Sequence, residues 1–586
     1  MRWIEKFLFA GVLLIGALLL AGCQPSSPDA GDDSVTSAGD SSDTGPSSDE
    51  QDVLALVEDG VPARVVVAFN ASDALNTVAE NIAKMLGNVS DTDVRVTKDS
   101  EDYDAGAVEI LIGDTAYPES AQAAQTLAYG DWCVTAVGNK IVVYAFSEAY
   151  YTSAGTHLIS LIYAQREESR VVIDGDYHQT GTSNALINAV PRLGDLVPSA
   201  VYTTGVDIPS SGAVFPNAGA DDFEAYRTSV AAQGYTLYAE NEINENRFAT
   251  YTNDDYSLNM IWTPALNRIT VCVDRLSDTA LPPRESENTA SGNAGCEATV
   301  TQLGLWIGYS ETDRWDAWIN GLAHVIQLED GSFLIIDGGH DRAINEELLY
   351  NTLKKQAPDP DNIVVAAWIF THAHGDHTGA FLMFDHDEVT VERFIYNFPT
   401  ASEGNNAGGG QMSSVAAKID SFYPEAEVIN AHPGQVYHIR NAKIEMLWTL
   451  DLYYPKSFTF FNESSLVFTL ELEGHRILYL GDMGPASNPV ISQIYGNALQ
   501  TDLVQTAHHG FEGASYAFYA LVKPKYVFWN TGNVVMDQYG NNYFSRNDDI
   551  VKWIAMDTVT VVKLREGEPP DAETFENSAA YLGQES

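Results

Sequence analysis

The sequence predicts an α/β protein of several parts, with one or two small α/β modules ahead of a larger C-terminal domain. Three observations carry that prediction. The chain has 586 residues, more than one hydrophobic core usually serves. Short apolar runs rich in Val and Ile alternate with segments of helical spacing, first over about 53–185 and again beyond 302. The composition, 45% hydrophobic and 11% aromatic, is that of folded globular material.

The first residues read as an export signal. Arg2 and Lys6 precede an apolar run from Phe7 to Leu20, too short for a comfortable membrane-spanning helix, and small residues follow it. The ending Leu20-Ala21-Gly22-Cys23 resembles a bacterial lipobox. That resemblance implies removal of residues 1–22, acylation of Cys23 and a lipid anchor on the extracytoplasmic face of the cell membrane. Residues 23–52 then supply eight acidic residues and no basic one among Ser, Gly and Pro, the composition of a self-repelling, disordered tether.

Over 53–185, Arg64–Phe69, Val108–Gly113 and Lys140–Tyr144 read as strands, with Ala74–Leu86 and Tyr150–Tyr163 as helices. This module resembles the accessory domain that precedes the barrel in several glycoside hydrolases, at Ile110 to Thr115 and at the turn Gly138-Asn139-Lys140. The likeness implies a scaffold or a wall-glycan contact without chemistry of its own. Over 190–300, Asp222–Gln233 reads as a helix, Tyr235–Glu240 as a strand, and Leu258–Trp262 with Arg268–Val273 as a hairpin. Leu281–Ala298 is Pro-, Ser- and Gly-rich and reads as a linker. Cysteines stand only at 23, 133, 272 and 296, too few for a disulfide framework. Cys272 and Cys296 are left either as a pair or as two thiols.

The chemistry sits in the C-terminal part, 302–586. The apolar run Ile363–Phe370 leads into Thr371-His372-Ala373-His374-Gly375-Asp376-His377-Thr378-Gly379, in a chain with only 13 histidines. A buried strand ending in such a turn aims three imidazoles and a carboxylate at one space. Neutral imidazoles with a carboxylate suit zinc, or with more oxygen donors manganese or iron. Trp306, Trp315 and Trp318 read as core or as the lining of a substrate groove, His340 as solvent-exposed, and His432, His438 and His475 lie in contexts poor for ligands.

His-x-His-x-Asp-His is the signature of the metallo-β-lactamase superfamily, and over about 302–565 the chain resembles it at further landmarks. Phe333–Gly339 is similar to the early strand ending in an aspartate, Asp337, which would hold the histidine loop without touching metal. Ile477–Asp482 is similar to the strand whose aspartate, Asp482, bridges two metals, and Asp502–Gly510 to the strand that delivers a last histidine. The resemblance implies an αβ/βα sandwich and two divalent ions. His372, His374, Asp376, His377, Asp482 and His508 would be ligands. Asp376 would also orient the nucleophile, and His509 would steady charge on the substrate.

One landmark departs: where members of the superfamily place a further histidine, this chain reads Asn462-Glu463-Ser464, which leaves Asn462 beside the metals rather than on them. That change, with His508-His509-Gly510, resembles the hydrolase domain of DNA-uptake competence proteins and the choline-phosphate esterases. It implies a small-molecule or cell-wall phosphodiester as substrate. The alternatives are a lactonase or β-lactamase, and a surface protein that binds glycan without catalysis. The net charge of −50 argues against a broad nucleic-acid-binding surface.

Overall fold

The computed structural model describes residues 53–100, 103–288, 295–305, 321–457, 459–511, 513–530, 542–555 and 558–584. The export signal, Cys23, the tether and the three tryptophans at 306, 315 and 318 lie outside the described residues.

The front module holds a small four-stranded sheet, which includes Val53–Glu58 and Arg170–Asp174, and a six-stranded sheet in the order His178–Thr182, Asp131–Val137, Lys140–Ala145, Glu109–Ile112, Arg64–Val67, Val96–Lys98, whose last four strands are parallel. Helix Asp73–Ser90 starts where the Ser72 hydroxyl accepts the Leu75 N–H. It buries Leu75, Val78, Ala79, Ile82, Ala83 and Leu86 at helical spacing, and helix Glu148–Gln165 packs beside it.

The second segment is an antiparallel six-stranded sheet: Ala200–Thr204, Ser210–Pro216, Arg268–Arg275, Tyr256–Thr263, Asn246–Thr252, Thr236–Ile243. Side chains alternate across a strand, and in the central strands here both faces are buried. Ala213, Phe215, Val271 and Val273 join Val66, Leu111 and Val142 in a core shared with the front sheet. Val214 and Cys272, between them in sequence, face the other way and pack with Trp448, Leu450 and Tyr495. This middle sheet is therefore a layer between front module and C-terminal part. Cys272 is buried in it, and Cys272 and Cys296 are both free thiols.

The C-terminal part is the expected αβ/βα sandwich. A mixed nine-stranded sheet contains Thr299–Gln302, Ala323–Gln327, Phe333–Asp337, Ile363–Ile369 and Arg393–Tyr396. A seven-stranded sheet runs from Val436–Ile439 to Val551–Ile554. The strand Thr299–Gln302 belongs to the nine-stranded sheet, paired with Ala323–Gln327 and Val559–Lys563. Leu334 and Ile336 turn inward against Phe468, Ile477 and Tyr479 of the other sheet. Phe333 and Ile335 turn outward under helices Ala343–Gln356 and Gly375–Met383. On the far side Leu478, Val504 and Val527 lie under helices Asn488–Tyr495 and Tyr516–Val522. Phe333–Asp337 and Ile363–Ile369 are parallel, as are His475–Tyr479 and Leu503–Gln505. The loops after all four strands carry the candidate site.

Middle sheet and sandwich are joined by a buried cation. Arg268 donates from Nη1 to the Tyr454 carbonyl at 2.7 Å and from Nη2 to the Leu452 carbonyl at 2.6 Å. Arg268→Ala leaves two buried carbonyls unsatisfied and should lower stability by about 2 kcal/mol, read as a lower urea midpoint.

Candidate metal centre

The site begins at Asp337, whose backbone takes a left-handed turn (φ 56°) at the end of its strand. Its carboxylate accepts the Thr371 N–H and the Thr371 hydroxyl, each at 2.7 Å. It lies 2.7 Å from His377 Nδ1. An imidazole that donates from Nδ1 presents Nε2 as its free donor atom, so Asp337 fixes both the tautomer and the direction of His377. Burial pushes the Asp337 carboxyl above the usual range, against the pull of His377 and Thr371.

The histidine loop is built as a helix start. The His374 carbonyl accepts the N–H of His377 (3.1 Å) and of Thr378 (2.9 Å), and the His377 carbonyl accepts those of Gly338 and Gly339. Gly379 is needed for this closeness, since a Cβ there would lie 2.3 Å from the Asp341 nitrogen.

Around this frame the loops converge. Asp482 lies 3.2 Å from His377 Nε2, 3.3 Å from His509 Nε2 and 3.9 Å from His372 Nε2. His509 Nε2 is 3.2 Å from Asp376 and 3.3 Å from His377 Nε2, and His372 Nε2 is 3.0 Å from His374 Nδ1. The donor atoms of Asp376, His377, Asp482 and His509 all lie within 4.8 Å of one another. Asp482 thus stands between a His372–His374 side and an Asp376–His377–His509 side.

Burial pushes His372 well toward the neutral form and His374 in the same direction. Burial also resists charge on His377 and His509, but Asp482 with Asp337 and Asp376 outweighs it. His377 is held up and His509 is raised to about 9. Asp376 and Asp482 are kept ionised against burial by the same imidazoles. The donor set fits a divalent ion: imidazole nitrogens face one another, and Asp482 Oδ1 has no hydrogen-bond partner among the described residues.

His508 was expected as the ligand and His509 as the residue that steadies charge, but it is His509 whose ring nitrogen lies in the donor cluster. The strand ends at Gln505, and both histidines lie in a left-handed turn (φ 47° and 53°) that sends their rings to different sides. Strand alternation does not extend into such a turn. His509 is buried in the cluster, while His508 is half-buried beside Phe511 and Phe460. Asn462 is buried on the turn Phe461–Ser464, and its Oδ1 has no hydrogen-bond partner among the described residues.

The same turn carries residues that sequence reasoning passed over. The Phe461 ring packs 4.8 Å from that of His374, the Ser465 hydroxyl accepts the Asp482 N–H at 3.1 Å, and the Glu463 carboxylate accepts the N–H groups of Ala486 and Ser487. No motif marked them, because their roles depend on neighbours remote in sequence. His340 pairs with Asp341, His432 with Asp274 and Asp451, and His475 with the Arg565 carbonyl, all away from the cluster.

No family model and no curated protein matches the chain. Among solved structures it is similar to the metallo-beta-lactamase fold protein YhfI from Bacillus subtilis, at 13% identity and TM-score 0.25, over 39% of this chain and 85% of that one. It is also similar to Zn(2+)-bound PqqB from Methylobacterium extorquens, at 11% and 0.29, over 44% and 97%. A third is CmlA, a diiron β-hydroxylase from Streptomyces venezuelae, at 10% and 0.27, over 46% and 54%. With scores this low, the fold stands on the two sheets described above.

The geometry separates the paired histidines by experiment. His509→Ala should lower bound metal per chain, measured by elemental analysis after dialysis, while His508→Ala retains it. Asp337→Asn, which leaves His377 unfixed, should weaken metal binding by about 10–100-fold in a chelator competition.

Proposed function

We propose that the chain is an extracytoplasmic, metal-dependent hydrolase acting on phosphodiesters. The observation that carries this reading is the cluster of imidazoles and carboxylates at the ends of strands from both sheets, with Asp482 between its two sides. His372 and His374 would hold one ion and Asp376, His377 and His509 a second, with Asp482 shared. Zinc suits these donors, as do manganese and iron. When bound, two such ions would supply a nucleophilic water at neutral pH and Lewis-acid polarisation of the scissile group.

The remaining work falls to the chain. Asp337 keeps His377 in one tautomer, and Phe461 covers the rings of His372 and His374 from one side. His508, half-buried beside Phe511 and Phe460, would take the part of a donor to a substrate oxygen as charge builds there. The phosphodiester reading rests on Asn462 in place of a histidine and on His508-His509-Gly510. The net charge of −50 favours a substrate that is small or threaded in. The extracytoplasmic and membrane-anchored reading rests on residues 2–23, acylated at Cys23.

The test is metal content and bis-p-nitrophenyl phosphate hydrolysis by the chain from residue 53, with His374→Ala alongside. Bound metal and turnover are expected, with turnover falling on the order of a hundredfold or more in the variant and after chelation. Bound metal with turnover of a cephalosporin or lactone instead would assign the site to carboxylic hydrolysis. Absence of metal after reconstitution would overturn the catalytic reading. Raising salt from about 0.01 to 0.15 M should speed cleavage of a polyanionic substrate and leave the small diester nearly unchanged, because screening relieves only the long-range repulsion.

A further inference from the structure

A second set of metal-type donors lies at the joint between middle sheet and sandwich. We propose that Cys272, His432 and Asp451 hold one divalent ion of the zinc class, in a structural site separate from the histidine cluster and independent of the reading above. The three side chains are fully buried, and their donor atoms lie within 4.8 Å of one another. They come from three distant places: Cys272 from the strand Arg268–Arg275, His432 from the loop after Glu427–Asn430, and Asp451 from the turn after Ala442–Trp448. Thiolate, imidazole and carboxylate together are a zinc donor set.

The hydrogen bonds around His432 set up the arrangement. Its Nε2 lies 2.8 Å from Asp274 Oδ2, and Asp274 is itself held by the Asn430 amide at 3.0 Å. A carboxylate on one ring nitrogen is the usual partner of a histidine that ligates through the other. That other nitrogen, Nδ1, faces Asp451 Oδ2 at 2.8 Å. With Nε2–H given to Asp274, a lone pair on Nδ1 and a carboxylate oxygen face each other only when they share a proton, as the 2.8 Å separation allows, or, slightly further apart, a metal ion. A proton satisfies those two atoms alone and leaves the Cys272 thiol with the Tyr202 hydroxyl, 3.3 Å away. A metal ion uses all three donors. The Tyr202 hydroxyl, also 3.0 Å from Asp451 Oδ1, is the fourth group at the site. Binding releases two protons, one from the thiol and one from between His432 and Asp451, and takes up one divalent ion. The charges then balance: two on the ion and one on Arg268 against Cys272, Asp451 and Asp274.

The test is cobalt. The full chain, refolded with cobalt or made in cobalt medium, should show thiolate-to-cobalt absorption in the near ultraviolet, because the histidine cluster contains no cysteine among the described residues. His374→Ala with His509→Ala, which strips the catalytic cluster, should keep that absorption and about one ion per chain. Cys272→Ser should abolish the absorption. Absence of the absorption in the wild-type chain, or its persistence in Cys272→Ser, would overturn the proposal and leave an imidazolium held between two carboxylates. If Cys272→Ser does not fold, the wild-type spectrum alone decides.

Discussion

The carboxylate of Asp337 receives the Thr371 N–H, the Thr371 hydroxyl and the His377 ring at one fully buried point, and the rest of the site is built outward from it. It ties the end of one parallel strand to the end of the next, and both to the helix that begins at Gly375. A buried carboxylate with fewer partners would be costly, and one with these three is rigid. Because the His377 ring is fixed there, Asp482 and His509 have a defined point to meet. The seven-stranded sheet is thereby brought into register with the nine-stranded one at the site as well as through their common core.

Electrostatics at two scales pull in different directions. The chain as a whole is strongly acidic, yet the two carboxylates of the cluster each lie 3.2–3.3 Å from imidazole nitrogens. What a ligand meets at the site is set by the few groups there, and what it meets on approach is set by the whole surface.

Much of this was legible in the sequence, for physical reasons that differ by element. The strand Ile363–Ile369 and the histidine loop could be read because an unbroken apolar run needs burial on both faces and a polar turn must follow it. The helices Asp73–Ser90 and Glu148–Gln165 could be read from apolar spacing alone. The roles of His508 and His509 could not, since two consecutive left-handed residues break the alternation that a reader extends from the strand. Nor could the middle sheet's second buried face: in Val271-Cys272-Val273 the pattern says buried, and only the fold says against what. His432, read as poorly placed for a ligand, lies between partners more than a hundred residues away on one side and nineteen on the other.

The middle sheet's double burial also sets an order of assembly. Its strands are complete in sequence by Arg275, but one face is closed by residues near 450: Tyr202 bonds to Asp451 across 249 positions, and Arg268 to Leu452 across 184. As the chain is synthesised, the sheet can close on the front module at once and must then wait, half covered and sticky, until the far segment arrives. Such delayed long-range pairing is slow and exposes apolar surface in the meantime. Until that segment arrives, Val214 and Cys272 lie on a face with nothing of this chain to cover it.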